Sequence, residues 1–473
     1  MPTAKASHFV GSDFGYSAVP GQPGKYILTV NFYRDCGGIP APFAVEVFCT
    51  PVFSGGMAQM AVLPFTDSME VSEVCPGLPT ECANPPGVIQ GIQRYTYSDT
   101  VTLYGPGLWK FNFKDCCRNE GIINIFNSDS YGFFVDAFLY HDTASVNNSP
   151  TYIASPAPYF CVNDTVTYTP QVTDIDGDSL SFSFGIPFDY TGTNTSVPIN
   201  LMAGYTYSDP FGVGSPVTLD PATGMMQFIP TTVGAYVIVL KVEEWRTVNG
   251  LLIKIGETRR DIQVQVLACT TPCPLAGNII AVNGNSQNGT QVVQTLANQP
   301  LQINIPATST NPNVTLTMTS NCALEIPGSS FVVSGSGSNV TGVFNWTPTA
   351  AHINSTPYYF SFRVQDNACP VPNERYGVVK VQVGQAPSAV TPAVASSALM
   401  LPNLLSAGQV FMLSADLGQV DVKIMDPTGK LVYEQQNYNN TWTGKSSASG
   451  LYLYQLRIRE TGQVISGKVV LQK

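Results

Sequence analysis

Apolar and polar residues alternate in short runs along the whole chain. Four of the clearest runs are Tyr26 to Phe32, Leu180 to Phe184, Val237 to Val242 and Val378 to Val383. Alternation with a period of two places every second side chain on one face of a β-strand, so each run predicts a strand with one buried face. No run follows the period of a long amphipathic helix. The pattern therefore predicts an all-β chain of mainly antiparallel strands.

Glycine, proline and asparagine separate these runs. The chain contains 41 Gly and 36 Pro. Asn283-Gly284-Asn285 and Asn288-Gly289 have the residue types of hairpin turns, because Asn and Gly tolerate a positive φ. Short strands at regular intervals are typical of β-sandwiches, so the sequence predicts tandem immunoglobulin-like or cadherin-like β-sandwich domains with a small β-sandwich at the C-terminus.

The length of 473 residues is enough for several domains. Three stretches rich in Pro, Ser, Thr or Ala mark boundaries: Val146 to Pro158, Cys269 to Pro274 and Gln385 to Ser397. The predicted organisation is a cysteine-rich β domain at 1–153, a first β-sandwich at 154–269, a second at 270–385, an Ala/Pro/Ser linker at 386–397 and a small final domain at 398–473.

Charge is scarce, and this narrows the classes of partner. Only 11% of the residues are charged, the formal net charge is -10, and the pI is about 4.8. A weakly charged, acidic chain has no basic surface for nucleic acid or for an anionic membrane. No stretch approaches the 18 uninterrupted apolar residues that predict a transmembrane helix. Ala4-Lys5-Ala6 before Ser7 resembles a processed signal junction, so we expect a leader upstream of this numbering.

The chain has 11 cysteines, which lack the paired CxxC spacing of a zinc site. Disulfides are therefore predicted, and they place the protein in an oxidising compartment outside the cytoplasm. The alternative is a set of buried free thiols that pack as small hydrophobic residues.

Position along the chain suggests how the cysteines pair. Cys161 and Cys269 flank the strands of the first β-sandwich, so they are predicted to bond. Adjacent cysteines in a strand point to opposite faces and seldom bond to each other. The remaining predictions are Cys75 with Cys82, Cys116 and Cys117 separately with Cys36 and Cys49 in either combination, Cys273 with Cys369, and Cys322 free.

Asp174, Asp176 and Asp178 lie on alternate residues around Gly177. This spacing lets three carboxylates present oxygen ligands to one hard cation, and calcium is the expected ion. The equal alternative is a tight Asp-Gly turn with solvated carboxylates. Glu243 and Glu244 could complete the site from another strand or pair with Arg246, Arg259 or Arg260.

Catalytic patterns are missing from the sequence. The three histidines, His8, His141 and His352, are isolated, and neither a GxSxG elbow nor an HExxH helix occurs. The expectation is a protein that is not an enzyme.

Ordered motifs in the first 269 residues resemble the N-terminal region of large secreted surface proteins of the Bacteroidetes that carry gliding-motility-associated C-terminal domains. The matching segments are Ser7 to Gly11, Asn31 to Gly38, Asp115 to Asn119, Asp174 to Leu180, Val242 to Trp245 and Arg259 to Val264. The resemblance implies export to the cell surface.

The last 75 or so residues resemble a type IX secretion sorting domain. The matching segments are Val422 to Tyr433, Asn440 to Gly444, Ser449 to Tyr454 and Gly467 to Val470. The resemblance implies a small β-sandwich at 398–473 that is recognised by the type IX secretion machinery. The gliding-associated subclass usually opens with a segment rich in Pro, Asn and Asp-Gly, whereas here Leu401-Pro402-Asn403 continues into Leu404, so the subclass stays open.

Composition and resemblance together predict an extracellular or cell-surface protein that works by binding or assembly. One version is an adhesin for surfaces or glycans, and another is a self-associating subunit of an extracellular filament or sheath. The alternative from a different class is a secreted polysaccharide-binding protein or hydrolase with accessory β-sandwich domains.

Overall fold

The computed structural model describes residues 9–52, 57–75, 77–84, 86–87, 89–142, 146–154, 156, 159–192, 194–269, 272–385, 404–406, 408–413, 419–460, 462 and 464–472. The predicted processed junction, His8, the predicted linker at 386–397 and the segment Leu401 to Asn403 lie outside these residues. The chain divides into two compact units, Met1–Ala386 and Pro387–Lys473. Its described part is made of strands with a few helices of three or four residues, so the predicted all-β class is confirmed.

Seven long strands begin the first unit. They are β1 (Phe9–Ala18), β2 (Lys25–Asp35), β3 (Ala44–Pro51), β4 (Gln59–Glu70), β5 (Ile92–Thr102), β6 (Gly107–Asp115) and β7 (Phe133–His141), with a 3₁₀ helix at Ser128–Ser130. These strands pair in the order β1–β2–β5–β4–β3–β6–β7. All of these pairs are antiparallel, as the alternating pattern predicts.

Eleven more strands follow before residue 268. They are β8 (Thr151–Tyr152), β9 (Tyr159–Cys161), β10 (Val166–Tyr168), β11 (Val172–Thr173), β12 (Ser179–Phe184), β13 (Phe188–Tyr190), β14 (Ser196–Pro198), β15 (Thr218–Leu219), β16 (Met226–Phe228), β17 (Gly234–Val248) and β18 (Leu251–Leu267). β17 and β18 form a long hairpin whose two turn residues, Asn249 and Gly250, both have a positive φ. This is the turn chemistry that suits the twist of paired strands.

Strand β18 closes the seven-stranded run into a ring. Along one edge it pairs with β17, and along the other it pairs first with β7, at Gly256↔Leu139, and then with β1, at Asp261↔Ser12. The first and last strands of the run therefore meet on the same neighbour. We call β1 to β7 with β18 the closed ring.

Large side chains fill the interior of the closed ring. Phe32, Phe113 and Trp109 are at most 1% exposed, and the ring of Phe9 lies 4.5 Å from that of Phe32 in an edge-to-face contact. Since β18 comes from the region 154–269, the predicted boundary at residue 153 lies within one continuous sheet. The reason is long-range pairing between β1 and β18, which local composition does not reveal.

The region 270–385 is a two-layer sandwich. Its elements are β19 (Leu275–Ala276), β20 (Ile279–Val282), β21 (Asn285–Asn288), β22 (Val293–Leu296), β23 (Leu301–Thr308), β24 (Thr317–Ser320), α1 (Cys322–Glu325), β25 (Ser330–Ser336), β26 (Asn339–Trp346), a 3₁₀ helix at Ala350–His352, β27 (Tyr358–Gln365) and β28 (Glu374–Gly384). One sheet runs β21–β20–β23–β26–β25 with β19 beside β23, and the other runs β22–β28–β27–β24. Phe344 and Phe360 stack between the layers with ring centroids 4.4 Å apart. We call this region the third-module sandwich.

The two predicted Asn-Gly turns differ in the structure. Asn283 and Gly284 join β20 to β21 with φ values of 47° and 85°, as expected for a hairpin. Asn288 ends β21, but the chain then crosses to β22 in the other sheet, so Asn288-Gly289 does not make a hairpin. Glycine is needed at position 289 because a Cβ there would lie 1.7 Å from the carbonyl oxygen of Gly277.

The third-module sandwich packs against the rest of the first unit. Cys369 is bonded to Cys75, and Thr167 donates its hydroxyl to the carbonyl of Tyr376 over 2.7 Å. The Tyr376 ring joins the hydrophobic core built by β10, β16, β17 and β18. The predicted boundary at residue 269 therefore separates two hydrophobic cores but not two compact units.

Four disulfides are formed among the described residues. The structure joins Cys161 to Cys269, the pair that the sequence predicts. It differs for Cys75, which bonds to Cys369 instead of Cys82, and for Cys82, which bonds to Cys36. Cys273 is consequently a buried thiol without its predicted partner Cys369. The predictions assumed modules closed on themselves, whereas the folded chain brings Cys75 beside Cys369.

Cys116 and Cys117 are bonded to each other, so their predicted bonds to Cys36 and Cys49 are wrong. The prediction took both for strand residues with opposed side chains. Strand β6 ends at Asp115, and the two cysteines lie in the turn that follows, where strand alternation no longer applies. Cys49 is a fully buried thiol on β3 inside the closed ring, and Cys322 is free as predicted.

The second unit contains one five-stranded sheet within its described residues. Its strands are β29 (Leu404–Ser406), β30 (Val420–Met425), β31 (Leu431–Gln435), β32 (Gly450–Ile458) and β33 (Val464–Gln472), in the order β29–β33–β32–β30–β31. Phe411 and Trp442 cover the buried face, with ring centroids 6.2 Å apart.

The apolar pattern of the last segment predicts a core of Val420, Val422, Ile424, Leu431, Val432, Leu451, Leu453 and Leu456, with Trp442 packed at one end. The structure agrees with this prediction only in part. Five expected residues are buried: Val420, Val422, Ile424, Trp442 and Leu456. Four others are exposed instead: Leu431, Val432, Leu451 and Leu453. On β32 the buried face carries Tyr452 and Tyr454, because alternation from the buried Leu456 selects the even positions.

Candidate functional site

A fully buried carboxylate on β17 is the centre of the candidate site. Leu240, Val242 and Glu244 occupy alternate positions, and Glu244 is 0% exposed. Its cross-strand partner is Gly256 on β18, where a Cβ would lie 1.8 Å from the Glu244 Oε2 atom. Glycine at 256 therefore makes the room into which the Glu244 side chain folds.

The acidic loop Asp174 to Asp178 lies next to Glu244. Gly177 has a φ of 78°, which favours glycine and lets the loop turn tightly. The Asp174 Oδ1 atom accepts the backbone N–H groups of Asp176 and Asp178 at 3.0 and 2.9 Å. These bonds fix the loop so that Asp174 and Asp178 point toward β17.

Three carboxylates meet at this place. Ligand oxygens of Asp174, Asp178 and Glu244 all lie within 4.8 Å of one another, and we call these three residues the carboxylate cluster. Arg246 holds Asp178 with two hydrogen bonds, Nε to Oδ1 at 2.7 Å and Nη2 to Oδ2 at 2.5 Å. The carboxylate cluster thus has one guanidinium group bound to it, through Asp178.

Asp176 lies outside the carboxylate cluster, in contrast to the predicted ligand set. Its Oδ2 atom accepts the backbone N–H of Asn148 at 2.7 Å, and its Oδ1 atom accepts the Asn148 amide at 2.9 Å. The Asp176 side chain points outward to Asn148, while Glu244 takes the third place from a distant strand. Alternation from the apolar Leu240 and Val242 is the sequence signal that marks Glu244 as an inward residue.

Burial controls the protonation of the carboxylate cluster. It raises the pKa of the Glu244 carboxyl to about 9, and it raises the pKa of Asp174 as well. Tyr16 donates its hydroxyl to Glu244 Oε2 at 2.9 Å, and Asn147 donates its amide to Oε1 at 3.1 Å. The Asp174 Oδ2 atom is buried and accepts no hydrogen bond. A proton on Glu244 or a hard cation within the cluster would satisfy it.

The donor set fits the chemistry of calcium, which takes carboxylate oxygens at 2.3–2.6 Å. Asp174, Asp178 and Glu244 would hold the ion, and calcium binding stays a prediction with this changed ligand set. A hydrolytic role fits the cluster less well, because a fully buried Glu244 presents no surface to a polysaccharide.

Glu243, the other acidic residue considered for this site, faces away from it. Its Oε1 atom accepts Lys241 at 3.0 Å and Lys254 at 2.7 Å. Alternation along β17 puts Glu243 and Glu244 on opposite faces. Glu243 is therefore part of a surface ion-pair group.

Two buried ion pairs involve residues of the sequence motifs. Arg118 donates to both carboxylate oxygens of Asp261, at 3.0 and 2.6 Å, and both side chains are at most 3% exposed. Arg260 binds Asp13 at 2.8 Å with similar burial. These pairs connect β1 and the turn after β6 to β18, so the motif residues hold the closed ring together. Sequence reasoning missed this role because the partners are more than one hundred residues apart.

A groove with both polar and apolar side chains lies beside the acidic loop. It has a volume of about 570 Å³, and its lining includes Asp13, Thr29, Asn31 and Asn148. Ile175, at the tip of the loop, borders the groove and is 85% exposed.

Comparison with known proteins identifies one segment of the chain. Residues 402–471 match the CHU_C type IX secretion signal domain. This signal indicates export to the cell surface or extracellular space and interaction with the secretion machinery, as for a Bacteroidetes protein sorted by type IX secretion. No curated protein sequence matches the chain. Among the described residues, no helix is long and apolar enough to span a membrane.

The solved structures that match the chain share little of its sequence and superpose poorly on it. The ICAM-5 D1–D4 ectodomain fragment is 9% identical, covers 97% of each chain and has a TM-score of 0.17. The zebrafish RET cadherin-like domains 1 to 4 are 10% identical over 80% of this chain and 87% of theirs, with a TM-score of 0.17. The endo-fucoidan hydrolase MfFcnA4 of glycoside hydrolase family 107 is 10% identical over 74% of this chain and 43% of its own, with a TM-score of 0.16. These likenesses are too distant to bear on function.

Proposed function

We propose that this chain is a non-enzymatic protein of the cell surface, of the gliding-motility-associated type, that acts as an adhesin or as a structural subunit of an extracellular filament or sheath. The observation that carries the proposal is the type IX secretion signal domain at 402–471, which follows a large disulfide-bonded β unit. Export exposes that unit to other surfaces, and disulfides suit a protein that works outside the cell.

The carboxylate cluster supports a structural rather than a catalytic role. Tyr16 and Asn147 bind Glu244, Arg246 binds Asp178, and Glu244 is closed to solvent. In the proposal, calcium at this cluster stiffens the junction between the acidic loop and β17. It does not take part in bond breaking.

Low surface charge supports contact with other macromolecules. With 11% charged residues, the chain loses little hydration energy when a broad surface is covered. Such a surface suits both an adhesive contact and a subunit interface.

Polysaccharide binding is the second candidate, and the groove beside the acidic loop favours it. Thr29, Asn31 and Asn148 place polar side chains along this groove of about 570 Å³, a volume that accommodates a few sugar units. In this version the protein grips surface glycans, and hydrolysis would require an acid and a base within the groove.

Three assays on the purified full chain separate these versions. A structural subunit gives polymers in negative-stain electron microscopy. An adhesin stays monomeric and binds glycan arrays or abiotic surfaces. A hydrolase releases reducing ends from polysaccharides, and that result would overturn the non-enzymatic proposal.

Removal of residues 399–473 tests the export step in cells. The first unit has its own hydrophobic cores, so it should fold and accumulate in the periplasm without the signal domain. The full chain is the control. Arrival of the truncated chain at the cell surface would contradict the role of the signal.

A further inference from the structure

Strand β25 lies at the outer edge of the six-stranded sheet of the third-module sandwich. It pairs over seven residues with β26, from Ser330↔Asn345 to Ser336↔Asn339, without a bulge. No other strand in the described part of the chain pairs with its outer edge. Six of its seven residues are exposed, including Val332 at 59% and Val333 at 39%. β25 thus has one free edge, and Gly335 is its one residue with a positive φ, at 89°.

This edge lacks the usual features that prevent edge-to-edge pairing. Natural edge strands are protected by charged residues, prolines, bulges or short length. β25 has none of these, whereas the edge strand β14 ends in Pro198 and the edge strand β31 carries Glu434. From Ile262 to Phe362 the sequence has a single charged residue, Glu325. The free edge therefore lies in the least charged region of the chain.

The hairpin turn determines which backbone groups face outward. Gly337 and Ser338 connect β25 to β26, and the two-residue turn makes Ser336 and Asn339 a hydrogen-bonded pair. Hydrogen-bonded and non-bonded pairs alternate in an antiparallel ladder. By this alternation the N–H and C=O groups of Phe331, Val333 and Gly335 point away from β26. These three residues offer donors and acceptors to a further strand.

We infer that β25 pairs antiparallel with the same strand of a second copy of this chain. In this pairing Val333 lies opposite Val333 of the other copy, and Phe331 lies opposite its Gly335. About six backbone hydrogen bonds then form between the two strands. Two chains of net charge -10 repel each other across most of their surfaces, but this edge carries no charge to repel or to dehydrate. A second copy can therefore approach this edge without charge repulsion at the contact itself.

The inference deepens the structural-subunit version of the proposed function, because it assigns the contact by which subunits join. The joined edges would merge two six-stranded sheets into one continuous sheet. The contact is isologous, so by itself it gives dimers, and polymers need a second contact elsewhere on the chain.

Sedimentation velocity of the full chain at about 0.1 mM and below tests the inference, since micromolar contacts are saturated at that concentration. Val333→Pro removes one outward N–H from each copy and leaves the bonds to β26 intact. Val333→Lys keeps the N–H but puts two lysines directly opposite each other in the dimer. Val333→Thr keeps the N–H and the strand preference, and it serves as the matched control.

The parent and Val333→Thr should dimerise alike, and both other variants should raise the dissociation constant by about tenfold or more. Thermal melting checks that each variant folds. If the proline variant does not fold, Val333→Lys decides the result. A monomeric parent overturns both the inference and the subunit version, and leaves the adhesin version to the surface-binding assay. A parent that associates as strongly as both variants overturns the edge pairing alone.

Discussion

The closed ring and the third-module sandwich bury their cores in different ways. The closed ring contains two ion pairs, Arg118–Asp261 and Arg260–Asp13, whose side chains are at most 5% exposed. The side chains packed between the layers of the third-module sandwich are apolar, Phe344 and Val381 among them, and its buried Asp366 is hydrogen-bonded to Asn373 of the same region. The ion pairs join strands that are far apart in sequence, whereas the apolar sandwich brings together strands of one contiguous region.

This difference suggests two sources of specificity. A buried ion pair gives little net stability but is costly when one partner is lost, so it selects which segments may pair. Apolar packing stabilises the sandwich without such selection. In this chain the strand pairing of longest range, β1 with β18, is the one marked by buried charges.

The largest expected effect comes from the disulfide that joins the two regions. Replacing Cys75 and Cys369 with Ser opens a loop with a sequence separation of 294. In the chain-entropy model this costs up to about 5 kcal/mol. We expect urea unfolding to separate into two transitions, one for the sandwich and one for the closed ring.

The matched control replaces Cys36 and Cys82, whose sequence separation of 46 lies within one region. It should lower stability by up to about 4 kcal/mol without splitting the transition. A single transition in the first variant would mean that the regions unfold together without the bond.

Thiol titration of the denatured, unreduced parent should detect three free thiols, those of Cys49, Cys273 and Cys322.

Loss of a buried charge partner tests the comparison next. Arg118→Met leaves Asp261 buried without its partner and should destabilise the first unit by about 3–5 kcal/mol. The double variant Arg118→Met/Asp261→Leu should regain most of this loss, since it removes both charges. Urea midpoints of the single and double variants measure the difference.

Arg94→Met is the control for this pair. Arg94 lies 3.7 Å from Asp67, which is 64% exposed, so its replacement should change stability by less than about 1 kcal/mol. Equal losses in the Arg118 single and double variants would show that packing, not the unpaired charge, sets the cost.

Calcium should stabilise the region of the carboxylate cluster. At one hundred times the dissociation constant, binding to the folded state adds about 2.7 kcal/mol. The thermal midpoint of the full chain should therefore rise in millimolar calcium relative to chelator. Asp174→Asn should abolish this rise, while Asp176→Asn, the matched control outside the cluster, should keep it. Equal midpoints for the parent in both conditions would mean that a proton on Glu244, and not calcium, satisfies the carboxylate cluster.

The smallest effect concerns Glu325, the single charged residue between Ile262 and Phe362. Burial raises the pKa of Glu325 to about 7 from an unfolded value of 4.5. The folded state therefore binds the proton more tightly, and stability should fall by about 1–2 kcal/mol as the pH rises from 4.5 to 7. Urea midpoints at pH 5 and pH 8 in chelator measure this slope.

Glu325→Gln should make the slope shallower, because the amide does not titrate, while Glu244, whose pKa burial raises to about 9, keeps its own share of the slope. Glu46→Gln, at an exposed position on β3, is the control and should keep it. An unchanged slope in Glu325→Gln would assign the pH dependence to another group.

Local pattern predicted the strands well because alternation is a property of neighbouring residues. Each of the four marked runs lies inside a strand, such as Tyr26 to Phe32 in β2. Alternation alone does not choose a face when both faces are apolar. On β32, Leu451 and Leu453 alternate with Tyr452 and Tyr454, and the structure buries the tyrosines.

Contacts between distant segments were beyond the reach of the sequence. The ladder between β1 and β18 and the bond between Cys75 and Cys369 both depend on how the finished sheets pack. For the candidate site, the loop aspartates follow from the Asp-Gly spacing. Glu244 follows from alternation on β17, but its meeting with Asp174 depends on a register fixed only in the folded chain.

The bond between Cys75 and Cys369 also sets how the protein responds to mechanical load. Tension applied to the chain outside these two residues passes through the sulfur atoms and bypasses the segment between them. At about 3.4 Å per extended residue, a sequence separation of 294 corresponds to roughly 1,000 Å of chain that such a pull does not draw out. Under such a pull the segment between the two cysteines adds no length until the bond is reduced.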